Sequence, residues 1–179
     1  MCQILSGSYV KAHQHSAGAR SVEPQAIGKS RAGNTTKIHL AVDSYGLPIA
    51  FTVTGGEVHD STVASELIGL LSLATAVVAD KGYDGGKIRE QIKKKGAKAV
   101  IPRKSNSVIG NASMDWSLYR HRHLVENAFA RLKHFRGLAT RYDKLKRNYY
   151  SVVAMACGFY GCRCDETPTA PNSILESRS

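Results

Sequence analysis

Apolar and polar positions along the chain fall into short alternating blocks and a few helical stripes. Ile4, Leu5, Tyr9, Val10 and Ala12 give residues 1–12 a strand-like pattern that starts almost at the first residue. A strand with nothing before it reads as the interior of a longer protein. Residues 16–34 are rich in Ser, Gly and Ala and predict a loop. Thr35–Val42 alternates, with Ile38, Leu40 and Val42 on one side and Lys37, His39 and Ala41 on the other. Asp43–Pro48 is turn chemistry, and the β-branched and aromatic run Ile49–Thr54 completes a hairpin. Val63, Leu67, Leu70 and Leu71 recur at helical spacing, which predicts a helix over 61–73 capped by Asp60 or Ser61. Ala76–Ala79 is a continuous apolar run that ends at Asp80, as in a buried central strand. A basic helix over 85–95, a short strand over 99–102, an irregular stretch over 103–116, a long helix over 117–136 and a last helix over 149–160 follow. This order predicts a mixed α/β layer fold over 1–161, followed by a polar, disordered tail over 162–179.

Charge changes this picture. The 25 Lys and Arg outnumber the 14 Asp and Glu, for a net charge of +11 and a pI near 9.7. The excess is concentrated: Lys81–Arg147 holds 18 bases and 5 acids, so this segment alone is +13 and the remainder is −2. A basic block of this kind favours a nucleic-acid backbone, bound with counterion release. No apolar run approaches the length of a membrane span. Four cysteines (Cys2, Cys157, Cys162 and Cys164) do not make a disulfide framework, which points to a reducing cytoplasm.

The chemistry concentrates in Tyr119–Lys133. At 100° per residue, Tyr119, Arg122, Glu126 and Lys133 share a wedge of about 60°, while Leu124, Ala128, Leu132, Phe135, Leu138 and Ala139 take the other side. One face is core, and the other presents an acid among bases; along the sequence that lone carboxylate is surrounded by Arg122, Arg131, Lys133 and Arg136. A polar face with a Glu–Arg pair is also what any solvated helix shows. An acid set among bases suits a metal-binding group beside phosphates.

Tyr119, Arg122, Glu126 and Lys133 match the Y-(2)-R-(3)-E-(6)-K signature, and the chain thereby resembles the DDE transposases of bacterial insertion sequences. Val78–Asp84 is similar to that family's second-aspartate segment. Thr35–His39, Gly56–Asp60 and Ala139–Leu145 are similar to further segments of it, in the same order. The resemblance implies an RNase H-like mixed sheet flanked by helices. It implies a catalytic site of three acids holding two Mg²⁺ or Mn²⁺ ions, with Asp80 as the second acid and Glu126 as the third, both metal ligands. It assigns Tyr119, Arg122 and Lys133 to the terminal phosphates of the transposon end; the basic surroundings of Glu126 add Arg131 and Arg136 as DNA-binding residues. The partners it implies are double-stranded DNA at the transposon ends and the target, with no membrane. A homodimer and the product of an upstream reading frame are compatible with it. The setting it implies is the bacterial cytoplasm, at the nucleoid.

The sequence departs from that pattern at the first acid. Ser6 stands where the family carries Asp, seven residues before His13, and a hydroxyl neutral at pH 7 is a poor ligand for a hard cation. The resemblance leads to the expectation of a region ahead of this strand, usually with DNA-binding helices, so the sequence reads as an N-terminally truncated copy or as one frame of a longer product. Two functions follow: a transposase domain with impaired strand cleavage and transfer, or a catalytically inactive remnant acting as a basic DNA-binding module. Gly28–Ser30 lacks the upstream glycine of a phosphate-binding loop, since that position is Glu23. His13 and His15 share one side of an extended segment without an evident third ligand. The cysteines lack zinc-site spacing. Asp60 is expected as a helix cap and Asp43 as a turn residue.

Overall fold

The computed structural model describes residues 1–16, 24–71, 74–105 and 107–161. Its strands are β1 (Cys2–Ala12), β2 (Gly28–Ser30), β3 (Gly33–Val42), β4 (Pro48–Gly55), β5 (Ala76–Ala79), β6 (Lys98–Val100) and β7 (Thr140–Arg141). Its helices are α1 (Asp60–Leu70), α2 (Gly86–Lys94), α3 (Trp116–Tyr119), α4 (His123–Leu132), α5 (Arg136–Ala139) and α6 (Lys146–Gly161). The strands form one sheet in the order β2-β3-β1-β5-β6, with β4 on β3 and β7 on β1. β1 is antiparallel to β3, β3 to β2 and β3 to β4, whereas β5 and β7 run parallel to β1, and β6 parallel to β5. An antiparallel half joined to a parallel half, with helices on both faces, is an RNase H-like mixed sheet.

The period-2 alternation of strands splits the core in two. Ile4 and Val10 of β1, Ile38, Leu40 and Val42 of β3 and Val78 of β5 pack with Val125, Ala128 and Leu132 of α4 and with Tyr149 and Val153 of α6. Leu5, Ala41, Val77 and Ala79 pack on the other face with Leu67 and Ile68 of α1 and Ile88 and Ile92 of α2. β3 is thus buried on both faces, and its polar members Lys37 and His39 are taken inside with it. None of the helices among the described residues is long and apolar enough to cross a membrane.

Several elements differ from the sequence reading. The polar run 28–34 forms a hairpin within the expected loop: β2 has no apolar period, and it exists because it pairs with β3, with Gly33 at φ 89° closing the turn. α1 is capped by His59, whose Nδ1 accepts the Ser61 N–H, and not by Asp60 or Ser61. Leu70 is exposed. The expected helix over 117–136 is segmented into α3, a 3₁₀ turn at Arg120–Arg122, and α4. Phe135 then takes an extended backbone and ends the helical path, its ring meeting Phe159 edge-on at 5.9 Å. Val125 and Phe129 are buried, Leu124 packs half-buried against the core, and Phe135, expected in the core, is exposed. The tail 162–179, with Cys162 and Cys164, lies outside the described residues.

Candidate active site

The site forms where the sheet opens. One edge of β1 is shared by two strands: Cys2–Leu5 pair with β5, and Lys11 and Ala12 pair with β7. Between them, Ser6–Val10 have no strand partner on that edge among the described residues. The 3₁₀ turn Arg120–Arg122, leading into α4, packs against β1 and β5 at this gap. Tyr119 through His123 keep right-handed helical backbone angles, so the turn carries Tyr119 and Arg122 into α4 without a change of direction.

Asp80 follows directly on β5. Leu5 pairs with Ala79, so the next residues, Ser6 and Asp80, are neighbours across the two strands. Strand alternation places Ser6 with Ile4 and Val10, and Asp80 with Val78, on the face that packs α4. Ser6 is buried. Asp80 accepts the Gly82 N–H through Oδ1 at 2.7 Å and so caps the turn Lys81–Tyr83. Glu126 is exposed on α4, where one carboxylate oxygen lies 2.6 Å from the Arg122 guanidinium. Tyr119 stands near both acids: burial raises its phenol pKa first, and the charges of Asp80 and Glu126 raise it further against Arg122. Lys133 ends α4, and Arg131 lies over the Tyr160 ring.

These donors do not fit a two-ion centre. Ser6 supplies a neutral hydroxyl, and one Asp80 oxygen is held by an amide. Among the described residues no three His, Cys, Asp or Glu side chains come close enough to share a metal ion. The other nearby carboxylates are committed elsewhere. Asp43 accepts the amides of Tyr45 and Leu47 and holds the β3–β4 turn.

Asp60 belongs to a buried network that the sequence did not reveal. Its Oδ1 lies 2.7 Å from Lys37 Nζ and 3.3 Å from His39 Nδ1, beneath Gly7. A Cβ on Gly7 would come within 2.7 Å of that oxygen, so only glycine leaves room for it. His39 reaches Thr54 Oγ1 at 2.9 Å through its other nitrogen. Asp60 and Asp80 meet across Gly82, where an added Cβ would lie 3.2 Å from Asp60 Oδ2 and 2.8 Å from Asp80 Oδ1. Tyr83 is buried below them, and burial and then both carboxylates push its phenol pKa upward. The available signal was Lys37 and His39 alternating inside an otherwise apolar strand.

Burial alone would raise the Asp60 pKa, but the close approach of His39 and Lys37 and their charges outweigh it and leave it below the ordinary 3.8. A depressed folded pKa gives stability that is present above the unfolded value and lost as pH falls through the folded one. Lys37→Met is therefore expected to cost about 2 kcal/mol at neutral pH and to move the acid-unfolding midpoint upward. Circular dichroism followed across an acid titration measures both.

With this geometry in place, comparison with known proteins is decisive. A family model described as a transposase DDE domain matches residues 4–157. The chain belongs to the DDE transposase family. Among DDE transposases it is similar to the protein assigned as the transposase of insertion element IS6501 from Brucella ovis, 35% identical over 130 residues that span 72% of this chain and 99% of that protein. It is 28% identical over 151 residues to the protein assigned as the IS402 transposase from Burkholderia cepacia, spanning 78% of this chain and 68% of that one. Among solved structures, the Mos1 transposase paired-end complex with a left transposon end aligns at 11% identity and a TM-score of 0.37, over 89% of this chain. The Mos1 strand transfer complex aligns at 10% identity and a TM-score of 0.39. The chain spans about half the length of those two solved chains, 56% and 52%.

Proposed function

We propose that this chain is the catalytic domain of an insertion-sequence transposase that binds double-stranded DNA through the basic face around α4 and has lost metal-dependent strand cleavage and transfer. Family membership supports the transposase reading. The observation that supports the loss is the register of β1 against β5, which brings Ser6 next to Asp80, where the family resemblance expects the first acid. Divalent-ion chemistry of this type needs hard carboxylate oxygens. Asp80 and Glu126 supply two such groups, and Glu126 is neutralised by Arg122. The remaining chemistry of the face is recognition. Arg122 offers a forked guanidinium and Lys133 a point charge to phosphate oxygens. Tyr119 adds a phenol hydroxyl that feels the charges of both acids and of Arg122. In this state the chain acts as a DNA-binding module.

Binding to a duplex oligonucleotide, followed by fluorescence anisotropy, tests this reading. Four phosphate contacts from Arg122, Arg131, Lys133 and Arg136 give a slope of about −3.6 in log affinity against log salt, and roughly a hundredfold loss between about 50 and 200 mM. Lys133→Ala is expected to reduce that slope by about one. Binding indifferent to salt over that range would contradict the proposal.

A further inference from the structure

β1 and β7 are parallel, with Ala12 opposite Arg141. Their next residues, His13 and Tyr142, therefore emerge side by side, and their rings stack with centroids 4.8 Å apart. His15 adds a third ring 5.0 Å from His13. The stack is held from below. The His13 amide donates to the Arg141 carbonyl at 2.8 Å, and Ser16 donates to the His13 carbonyl through both its amide and its hydroxyl. Tyr142 is 58% exposed, so its ring remains open to solvent beside His13. Beside the stack opens a cleft of about 510 Å³, lined by Lys11, His13, Gln14, Gly33, Asn34 and Thr140, with no carboxylate on its wall among the described residues. The hairpin that forms its rim carries Lys29 and Arg31, both exposed.

We infer that the His15–His13–Tyr142 stack and the adjoining cleft form a docking site for unpaired bases of DNA. This rests on the DNA-binding reading above and adds a second, distinct surface to it. The wall carries Lys11 and two side-chain amides and no carboxylate among the described residues, a charge balance that suits a phosphate-linked strand. Lys11 and Arg31 supply charge for the backbone, and the Gln14 and Asn34 amides can pair with base edges. The ring faces decide between duplex and single strand. Inside a duplex each base face is covered by its neighbours, so an exposed aromatic stack can take only a base that has left the helix. The site begins seven residues along β1 from Ser6, about 20 Å at strand rise. Bases seated here therefore belong to DNA displaced from the Ser6–Asp80 gap and not to the nucleotide lying in it.

The test uses the full chain and two labelled DNAs: a blunt duplex, and the same duplex with a short single-stranded overhang containing 2-aminopurine. The overhang is expected to bind about tenfold more tightly, with quenched 2-aminopurine fluorescence. Tyr142→Ala should abolish both the preference and the quenching while leaving blunt-duplex affinity and the melting temperature unchanged. Tyr142→Phe should retain them, because the ring and not the hydroxyl stacks. Duplex binding without overhang preference, or a preference that survives Tyr142→Ala, overturns this site and leaves the duplex reading intact. Binding of neither DNA overturns both.

Discussion

Replacing Arg141 with alanine is expected to destabilise the protein by about 3–4 kcal/mol, a large share of the 5–15 kcal/mol typical of a folded domain. Arg141 is fully buried, and its charge is met by oxygens of the chain. Nε donates to Asp143 O at 2.9 Å, Nη1 to Ala26 O and Thr36 Oγ1 at 2.9 Å each, and Nη2 to Gln25 O at 2.8 Å and Lys144 O at 3.4 Å. The guanidinium also lies 4.9 Å from the centre of the Tyr149 ring. One side chain thus fastens β7, the segment after it and the segment at Gln25–Ala26 to β3. Truncation leaves those carbonyls without their donor and opens a void. Thermal unfolding should shift down by about 10 °C. Arg141→Lys should recover less than half of the loss, since an ammonium cannot reach both sides of the fork. A shift of only a degree or two for Arg141→Ala would show that water replaces the guanidinium without cost.

Ser6→Asp is expected to turn a metal-indifferent domain into a metal-dependent one. Without metal, a third carboxylate beside Asp80 adds like-charge repulsion in a buried position, and stability should fall by about 1–2 kcal/mol. With Mn²⁺ the same three acids become a ligand set. An ion present at about a hundred times its Kd returns about 2.7 kcal/mol. The melting temperature of Ser6→Asp should therefore rise steeply with Mn²⁺, whereas that of the parent chain should barely move. Adding Glu126→Gln to Ser6→Asp should remove most of the response. Equal Mn²⁺ responses in the parent and Ser6→Asp would place the metal ligands elsewhere.

What the sequence made legible follows physical lines. β1, β3, β5 and α4 carry strong apolar periods, and their place in the fold followed from those periods and from the family signature. β2 and β7 carry none: they are strands only because β3 and β1 offer them an edge. The segmentation of the helix after Asp115 has no local signal, and at its end Phe135 meets Phe159, a contact 24 residues apart that no local period encodes. In the candidate site, Glu126 stood out by spacing, whereas Asp80 and Ser6 stood out only through the family resemblance. The Lys37–His39–Asp60 network did not, because it joins a strand to the start of a helix across Gly7. Arg141 looked like one more base in a basic segment, and only its carbonyl cage sets it apart. The stack of His13 on Tyr142 arises from the register of two strands, one of which the sequence does not announce.

On our proposal, this member of the DDE transposase family lacks the first acid of a cleavage centre. Strand cleavage by the unmodified chain on an end-labelled duplex carrying its element's own terminus, with Mg²⁺ or Mn²⁺ supplied, tests it most directly. No cleaved strand is the result expected with either ion. A Mg²⁺-dependent product that disappears on Glu126→Gln would contradict the claim and would mean that another carboxylate, Asp60 before any other, completes the centre.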